Sequence, residues 1–215
     1  MVTAVKSLLH NSDVDKVYLF IEDDEFPYWL PEKVITRNVS DQTYFLPGSP
    51  NMKSQFSYMA LIRSVFAKYF PECDRILSLD VDTIVVDDIS EIWDLPIDDC
   101  YFSATREPKL SMLTRGMYAN IGTCLYNLKK IRQDKKDDDV VLLLNTFRYQ
   151  YVEQDVYTLY CQGHIHDMPL EYNSTWNKEI VGMAEHPKII HFAGYKNWVD
   201  FEPYKRYERM EWGEV

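Results

Sequence analysis

Two aspartates, Asp80 and Asp82, stand one residue apart between two apolar segments of the 215-residue chain. The segment before them, residues 75–79, is short and rich in β-forming residues, which predicts a strand that ends at the acids. In open α/β sheets, ligands bind beyond the carboxyl ends of the strands. An unpaired carboxylate is costly to bury, so a cation is the simplest partner for two of them at this place. We therefore predict a metal site here.

The spacing of these acids carries little information without its context. Asp13 and Asp15 are separated in the same way, and so are Asp137 and Asp139. The first pair precedes a predicted strand, where acids serve as a loop or a cap. The second pair lies in the acidic stretch 134–139, which we predict to be a solvated loop. Neither pair follows a strand, so neither is expected to hold a metal.

Two further segments place polar side chains at the ends of predicted elements. Asn120 and Gly122 come just before an apolar strand, where an ordinary turn is the simpler explanation. Glu153, Gln154 and Asp155 open a predicted helix. Acids in the first turn of a helix complement its dipole, so capping accounts for them without any catalytic role. Taken alone, neither segment distinguishes a functional site from local structure.

A histidine ends another apolar strand near the end of the chain. His191 is followed by Gly194 and then by Lys196. A single histidine in an apolar strand is more often a packed core residue. With a small residue and a lysine after it, however, it suits a metal ligand beside a phosphate-binding turn. Imidazole together with carboxylates suits Mn²⁺ well and Mg²⁺ less well.

The elements that must position these residues alternate between helices and strands. The pattern predicts a helix over residues 2–9, a strand over 16–21, a helix over 59–70 and a strand over 122–128. No internal repeat and no linker interrupts this order. We therefore predict a single three-layer α/β/α domain that spans residues 1–215.

Composition excludes several classes of function. The net charge of -11 and the sequence pI near 4.9 argue against a nucleic-acid partner, which needs a basic face. The four cysteines form no metal-binding spacing and no disulfide framework, which fits a reducing compartment. The sequence shows neither a signal peptide nor a stretch of membrane-spanning length, so we expect a cytoplasmic protein without a transmembrane segment.

Taken in order, these segments resemble glycosyltransferase family 8, the family of glycogenins, bacterial galactosyltransferases and galactinol synthases. The resemblance covers residues 2 to about 198. Arg63 adds to it, because it lies on the helix before the strand at the family's usual distance from Asp80. The resemblance implies a GT-A type nucleotide-diphospho-sugar transferase fold with a mostly parallel central sheet. It also implies retaining transfer of a hexose from a UDP-sugar to a glycan or to a protein- or lipid-linked sugar acceptor.

The resemblance also implies roles for individual residues. Asp80, Asp82 and His191 would bind Mn²⁺ or Mg²⁺, and Gly194 and Lys196 would contact the diphosphate. The residues that would surround the donor sugar are Arg63, Asp80, Asn120, Glu153, Gln154 and Asp155.

The catalytic residues implied are Glu153, Gln154 and Asp155. Either acid could form a covalent sugar intermediate, or the acceptor could attack on the face that the diphosphate leaves, with no protein nucleophile. The sequence leaves both mechanisms open.

The chain departs from the family pattern at three places. Glu153 replaces the usual aspartate, and one residue fewer separates Gly194 from Lys196. The family's first strand has no counterpart ahead of Met1. We therefore expect an N-terminally shortened fold with weak donor binding and an open sheet edge that is covered by self-association.

Two other functions are compatible with the pattern. The chain could be a nucleotide-sugar-binding relic of the same fold, without turnover. It could also be a Mg²⁺-dependent phosphohydrolase of the haloacid dehalogenase type, which places the same acid pair after an apolar strand. Against the second, Ile84 occupies the position where those enzymes have Thr or Val.

Overall fold

The computed structural model describes residues 1–195 and 197–215, so Lys196 lies outside the described residues. The strands are β1 (Val17–Ile21), β2 (Val34–Asn38), β3 (Arg75–Leu79), β4 (Thr83–Val85), β5 (Phe102–Arg106), β6 (Ala119–Asn127), β7 (Ile165–Asp167), β8 (Ser174–Thr175) and β9 (Ile189–His191). The α-helices are α1 (Val2–Asn11), α2 (Phe66–Tyr69), α3 (Pro108–Thr114), α4 (Leu128–Gln133), α5 (Lys136–Thr146), α6 (Val152–Tyr160) and α7 (Glu202–Arg209). Within this described part of the chain, no helix is both long enough and apolar enough to cross a bilayer.

The strands form three sheets, and the predicted metal site lies where the second and the third of them meet. β1 and β2 are parallel, the order of the second sheet is β3-β6-β5-β7, and the order of the third is β4-β9-β8. In the second sheet, β6 is antiparallel to both of its neighbours. β3, β5 and β7 therefore run in one direction and β6 in the other, and the expectation of a mostly parallel central sheet stays a prediction. The last residue of β5, Arg106, pairs with the first residue of β6, Ala119. The segment that contains α3 therefore connects two adjacent antiparallel strands at one end, as in a hairpin, and is not a crossover connection.

The core surrounds β6. All nine residues of this strand are buried, and one hydrophobic cluster joins it to β5, α5, α6 and the 3-10 helix Tyr58–Val65. β6 is therefore covered on both faces, although it carries Asn120, Thr123 and Asn127 among its apolar residues. Because close-packed interiors resist displacement, β6 is a rigid base for any polar side chain that it carries.

Several local predictions are confirmed, and others need correction. α1, β1 and β3 lie within one or two residues of the predicted segments. The predicted helix over 59–70 is largely a 3-10 helix, and α5 begins inside the stretch 134–139 that was predicted to be a loop. Asp137, Asp138 and Asp139 stand in the first turn of α5, where they complement the helix dipole. Asp137 is buried, and its carboxylate lies 3.3 Å from Lys68 Nζ. The expectation of an N-terminally shortened fold with an open sheet edge stays a prediction.

Candidate metal and donor site

The two aspartates occupy a short turn that joins two sheets. Asp80 follows β3 directly, and its backbone N–H donates to the carbonyl oxygen of Gly122 on β6 at 2.7 Å. The Asp80 carbonyl oxygen accepts from both the hydroxyl and the backbone N–H of Thr83, at 2.7 and 3.2 Å. The turn is therefore fixed by backbone contacts. The carboxylates of Asp80 and Asp82 are left free of that task and partly exposed.

His191 reaches the same place from the other sheet. The antiparallel register of β4 and β9 pairs Thr83 with His191, and the next residue, Phe192, donates its N–H to the Asp82 carbonyl oxygen at 2.9 Å. The His191 Nε2 atom lies 3.5 Å from Asp82 Oδ1 and 3.7 Å from Asp80 Oδ2. Sequence-distant residues are thus joined by strand register.

These three side chains have the composition and spacing of a cation site. Among the residues that the structure describes, they form a group whose ligand atoms all lie within 4.8 Å of one another. Ligand atoms about 2.1 Å from an octahedral ion lie about 3 Å apart when adjacent and about 4 Å apart when opposite. Two carboxylates and an imidazole therefore fit a divalent ion such as Mn²⁺ with little movement.

The electrostatics of the group couple metal binding to protonation. Burial alone would raise the pKa of Asp82, but the hydrogen bond and charge of His191 outweigh it, and the pKa is lowered. Burial likewise acts to lower the pKa of His191, yet the hydrogen bond and charge of Asp82, together with the charge of Asp80, raise it. Since an imidazole ligand must be unprotonated at the coordinating nitrogen, a metal ion at this site would compete with protons for His191.

Gly122 makes room for the histidine ring. A Cβ atom at this position would lie 2.0 Å from His191 Cε1 and 2.6 Å from His191 Nδ1. The asparagine-x-glycine pattern therefore has a packing reason. Asn120 and Gly122 were predicted to lie just before this strand. β6 begins at Ala119, however, so both residues lie within it.

Behind the carboxylates lies a buried ion pair. Arg63 Nη1 donates to Asp80 Oδ1 at 2.8 Å and to the Ile121 carbonyl oxygen at 3.0 Å. Arg63 Nη2 lies 2.5 Å from Oε1 of Glu153, a side chain that is only 1% exposed. Burial raises the pKa of Glu153 to about 7, against the opposing effect of Arg63. The arginine occupies one oxygen of Asp80 and leaves Oδ2 directed towards His191.

The start of α6 is held under backbone strain. Val152 has a φ of 39°, an uncommon conformation for a β-branched residue that costs about 1–3 kcal/mol. Asp155 accepts hydrogen bonds from the hydroxyl of Tyr118 and, at 2.9 Å, from the N–H of Tyr151. Both oxygens of Asp155 are therefore engaged. Burial and Asp155 both raise the pKa of Tyr118, which keeps its hydroxyl a donor.

Glu107 is a residue of this site that sequence reasoning missed. It is buried, and its Oε1 accepts from Asn120 Nδ2 at 2.8 Å and from Gln154 Nε2 at 3.2 Å. Burial raises the pKa of Glu107, although these two hydrogen bonds oppose the shift. A signal for it existed, because Glu107 follows directly on β5 as Asp80 follows β3.

The predicted residues are largely brought together. One connected set of hydrogen bonds and ion pairs contains Arg63, Asp80, Asp82, Asn120, Glu153, Gln154, Asp155 and His191. Gly194 is exposed in the turn after β9, with a φ of 69° that favours glycine. The predicted role of Lys196 falls outside the described residues.

Comparison with known proteins decides the family. The profile described as Glycosyl transferase family 8 matches residues 3–202 of this chain. The chain belongs to glycosyltransferase family 8. The resemblance drawn from the motifs is confirmed, and the phosphohydrolase alternative is wrong.

Known relatives of this family 8 chain are distant and longer. It is 24% identical over 166 residues to a protein from Haemophilus influenzae named "Putative glycosyltransferase", with 66% of the chain and 50% of the relative covered. It is 22% identical over 149 residues to General stress protein A of Bacillus subtilis, with 56% and 51% covered. The chain thus spans about half the length of the curated relatives that it matches.

Solved structures show the fold of the family 8 chain. The glycosyltransferase GlyE of Streptococcus pneumoniae superposes with a TM-score of 0.70 at 19% identity, covering 99% of this chain and 57% of that one. The galactosyltransferase LgtC, solved with donor and acceptor sugar analogues, gives a TM-score of 0.58 at 18% identity, with 81% and 72% covered. The predicted GT-A fold is therefore confirmed.

Proposed function

We propose that this chain is a metal-dependent, retaining hexosyltransferase that uses a UDP-sugar as donor. The observation that carries the proposal is the convergence of two carboxylates and an imidazole between β3, β4 and β9 of a family 8 glycosyltransferase. The cofactor is Mn²⁺ or Mg²⁺, and the imidazole ligand favours Mn²⁺. Asp80, Asp82 and His191 are its ligands.

Departure of the diphosphate is the difficult event in such a transfer. A divalent cation, when bound, neutralises the negative charge that develops on the leaving group. Gly194 and Lys196 are proposed to contact the same diphosphate. The left-handed backbone of Gly194 suits a tight anion-binding turn, and a lysine acts there as a point charge.

We propose transfer on one face of the sugar without a covalent intermediate. Glu153 is walled off from solvent by its pairing with Arg63, and both oxygens of Asp155 accept hydrogen bonds. Asp155 therefore offers no free oxygen as a nucleophile, and the Glu153 oxygen that has no hydrogen-bond partner, Oε2, is buried behind the pairing with Arg63. Glu153 instead acts through Arg63 on the orientation of Asp80.

The donor sugar is proposed to lie against the side chains between Asp80 and the start of α6. Gln154 is anchored there, because its Oε1 accepts from the Ile121 N–H at 3.2 Å while its Nε2 donates to Glu107. Such double anchoring holds a polar side chain in one orientation, as contact with a reacting sugar requires. The contacts that we propose are with Arg63, Asp80, Asn120, Gln154 and Asp155.

The acceptor is proposed to be a hydroxyl of a glycan or of a protein- or lipid-linked sugar.

A cytoplasmic location is supported by the cysteines, all four of which are free thiols. The strongly acidic chain speaks against nucleic acid as a partner.

A donor screen tests the proposal. UDP- and GDP-sugars are incubated with the protein and Mn²⁺, and the released nucleotide is measured. A UDP-hexose is expected to give the highest rate, the rate should vanish with a chelator, and NMR of the product should show the donor's anomeric configuration. Binding of UDP without turnover of any donor would support the relic alternative. An inverted product would contradict the retaining mechanism.

A further inference from the structure

A line of hydrogen bonds runs through the interior from an acid to the metal-facing histidine. Glu107 Oε1 accepts from Asn120 Nδ2 at 2.8 Å, and Asn120 Oδ1 lies 3.0 Å from Asn173 Nδ2. Asn173 Oδ1 in turn lies 3.0 Å from His191 Nδ1. All four side chains are buried. We call this set, Glu107, Asn120, Asn173 and His191, the amide relay.

The orientation of the first amide is fixed by partners that have a single hydrogen-bonding role. The Glu107 carboxylate only accepts, so the NH₂ group of Asn120 faces it. The backbone N–H of Gly122 only donates, and it lies 3.2 Å from the other end of that amide, Asn120 Oδ1. A flipped Asn120 would place acceptor against acceptor at one end and donor against donor at the other.

The orientation of the second amide follows from the first. Asn173 Nδ2 faces two acceptors of Asn120, the side-chain oxygen at 3.0 Å and the backbone carbonyl oxygen at 3.3 Å. Asn173 Oδ1 therefore faces the ring of His191, and an amide oxygen only accepts. In the hydrogen bond between them, His191 Nδ1 must therefore be protonated and donate to Asn173 Oδ1.

The position of this proton decides whether the ring can bind a metal. Two carboxylate oxygens, from Asp82 and Asp80, lie 3.5 and 3.7 Å from Nε2. In the absence of an acceptor at Nδ1, these carboxylates would favour the neutral tautomer that is protonated at Nε2, because both are acceptors. That tautomer has no lone pair on Nε2 to offer to a cation held by Asp80 and Asp82.

We propose that the amide relay holds His191 in the Nδ1–H tautomer and so leaves Nε2 free as a metal ligand. The inference rests on the metal site of the proposed function. It makes Glu107 and Asn173, which lie outside the strands, positioning residues for the proposed ligand His191 on β9. Partners that fix the tautomer of a metal-binding histidine commonly change metal affinity by about 10–100-fold when they are removed.

The test uses Asn173→Leu, which keeps the approximate shape of the side chain and removes its three hydrogen bonds. Asn51→Leu is the matched control, because Asn51 is also fully buried and bonds the carbonyl oxygens of Leu144 and Phe147 at 2.6 and 2.7 Å. Asn173→Asp is the conservative variant, since a carboxylate still accepts from Nδ1. If Asn173→Leu does not fold, Glu107→Met at the other end of the relay takes its place.

Two measurements are made on each variant. Two-bond ¹⁵N–¹H spectra of histidine-labelled protein, recorded without metal where imidazole is neutral, report which ring nitrogen carries the proton. His191→Gln assigns the signal. Free Mn²⁺ is titrated by electron paramagnetic resonance. We expect the Nδ1–H pattern in wild type, Asn173→Asp and Asn51→Leu, the Nε2–H pattern in Asn173→Leu, and Mn²⁺ affinity about tenfold or more lower in Asn173→Leu.

The outcomes separate this inference from the proposed function. An Nε2–H pattern in wild type, or an Asn173→Leu protein with wild-type tautomer and wild-type Mn²⁺ affinity, overturns the inference. A wild-type protein with the Nδ1–H pattern that binds no Mn²⁺ overturns the metal part of the proposed function while the tautomer assignment stands.

Discussion

The carboxylate edge, Asp80 and Asp82, and the buried polar layer behind it differ in how their hydrogen-bonding capacity is used. The side chains at the edge are 36% and 25% exposed, and part of their oxygen surface faces solvent. In the layer behind, Arg63, Glu153 and the amide relay are directed at one another or at the edge. The edge is thus open to a ligand, whereas the buried layer determines how the edge is presented.

The buried layer is better explained by geometry than by stability. Removing two charges from water costs several kcal/mol per ion, and their mutual attraction often fails to exceed that cost. The pair of Arg63 and Glu153 is therefore weak evidence for a stabilising role. Its consequence is visible instead at Asp80, whose Oδ1 is held by the arginine.

Asp82→Asn should remove the function of the edge with the largest effect. An amide is a poorer ligand for a hard cation than a carboxylate. Removing a partner that only supports a metal ligand commonly lowers affinity by about 10–100-fold, and losing a ligand should cost more. We therefore expect Mn²⁺-dependent UDP binding to weaken by more than about 100-fold while the fold is retained. Calorimetry and thermal unfolding measure the two quantities.

The matched control for that variant is Asp15→Asn. It belongs to an acid pair with the same spacing, but it is exposed and precedes β1. Its binding should equal that of wild type. The account would be contradicted if the Asp82→Asn protein had a lowered melting temperature but bound UDP and Mn²⁺ as wild type does. The carboxylate edge would then have a structural role, like the buried layer.

Gly122→Ala should damage the edge from within the buried strand. The added Cβ lies in the space of the His191 ring, at 2.0 Å from Cε1, so the ring must move. We expect about 1–3 kcal/mol of destabilisation from overpacking. Mn²⁺ affinity should fall about tenfold or more because a ligand is displaced. Gly48→Ala is the control, since nothing lies within 4 Å of a Cβ there; equal Mn²⁺ affinity in the two variants would contradict the packing role.

Glu153→Gln should change the pH dependence of stability more than stability itself. The pKa of Glu153 is raised from 4.5 to about 7 in the folded protein, so the folded state holds this proton more tightly than the unfolded chain does. The stability that this group contributes is fully present below pH 4.5 and is lost as the pH rises through 7. As the pH rises from 4.5 to 7, the free energy of unfolding of wild type should therefore decrease by about 2–3 kcal/mol relative to that of Glu153→Gln.

Denaturant unfolding of both proteins between pH 4.5 and 8 measures this difference. Parallel profiles would show that Glu153 has an ordinary pKa, and that the buried layer is wetter than its exposure indicates.

The sequence predicted the three proposed metal ligands better than the contacts behind them. Asp80 and His191 were found because each ends an apolar strand, a position that can be seen from local pattern. Glu107 was missed because α3, which begins right after it, has no apolar periodicity and exposes Met112 and Leu113.

Long-range pairing explains what local pattern could not. Asn173 lies in a short 3-10 helix, Leu170–Asn173, and meets Asn120 only through tertiary packing of that helix near β6. The antiparallel course of β6 was missed for a related reason, since strand direction depends on which strands pair. Element positions were predicted more reliably than partners, because partners depend on register.

Calorimetric titration of UDP into the wild-type protein, with Mn²⁺ and again with a chelator, tests the central claim most directly. Uridine is titrated under the same two conditions. If the carboxylate edge holds a cation that recruits a diphosphate, UDP should bind at least about tenfold tighter with Mn²⁺, and uridine should show no such gain. Equal UDP affinity with and without Mn²⁺, or an equal gain for uridine, would contradict the account.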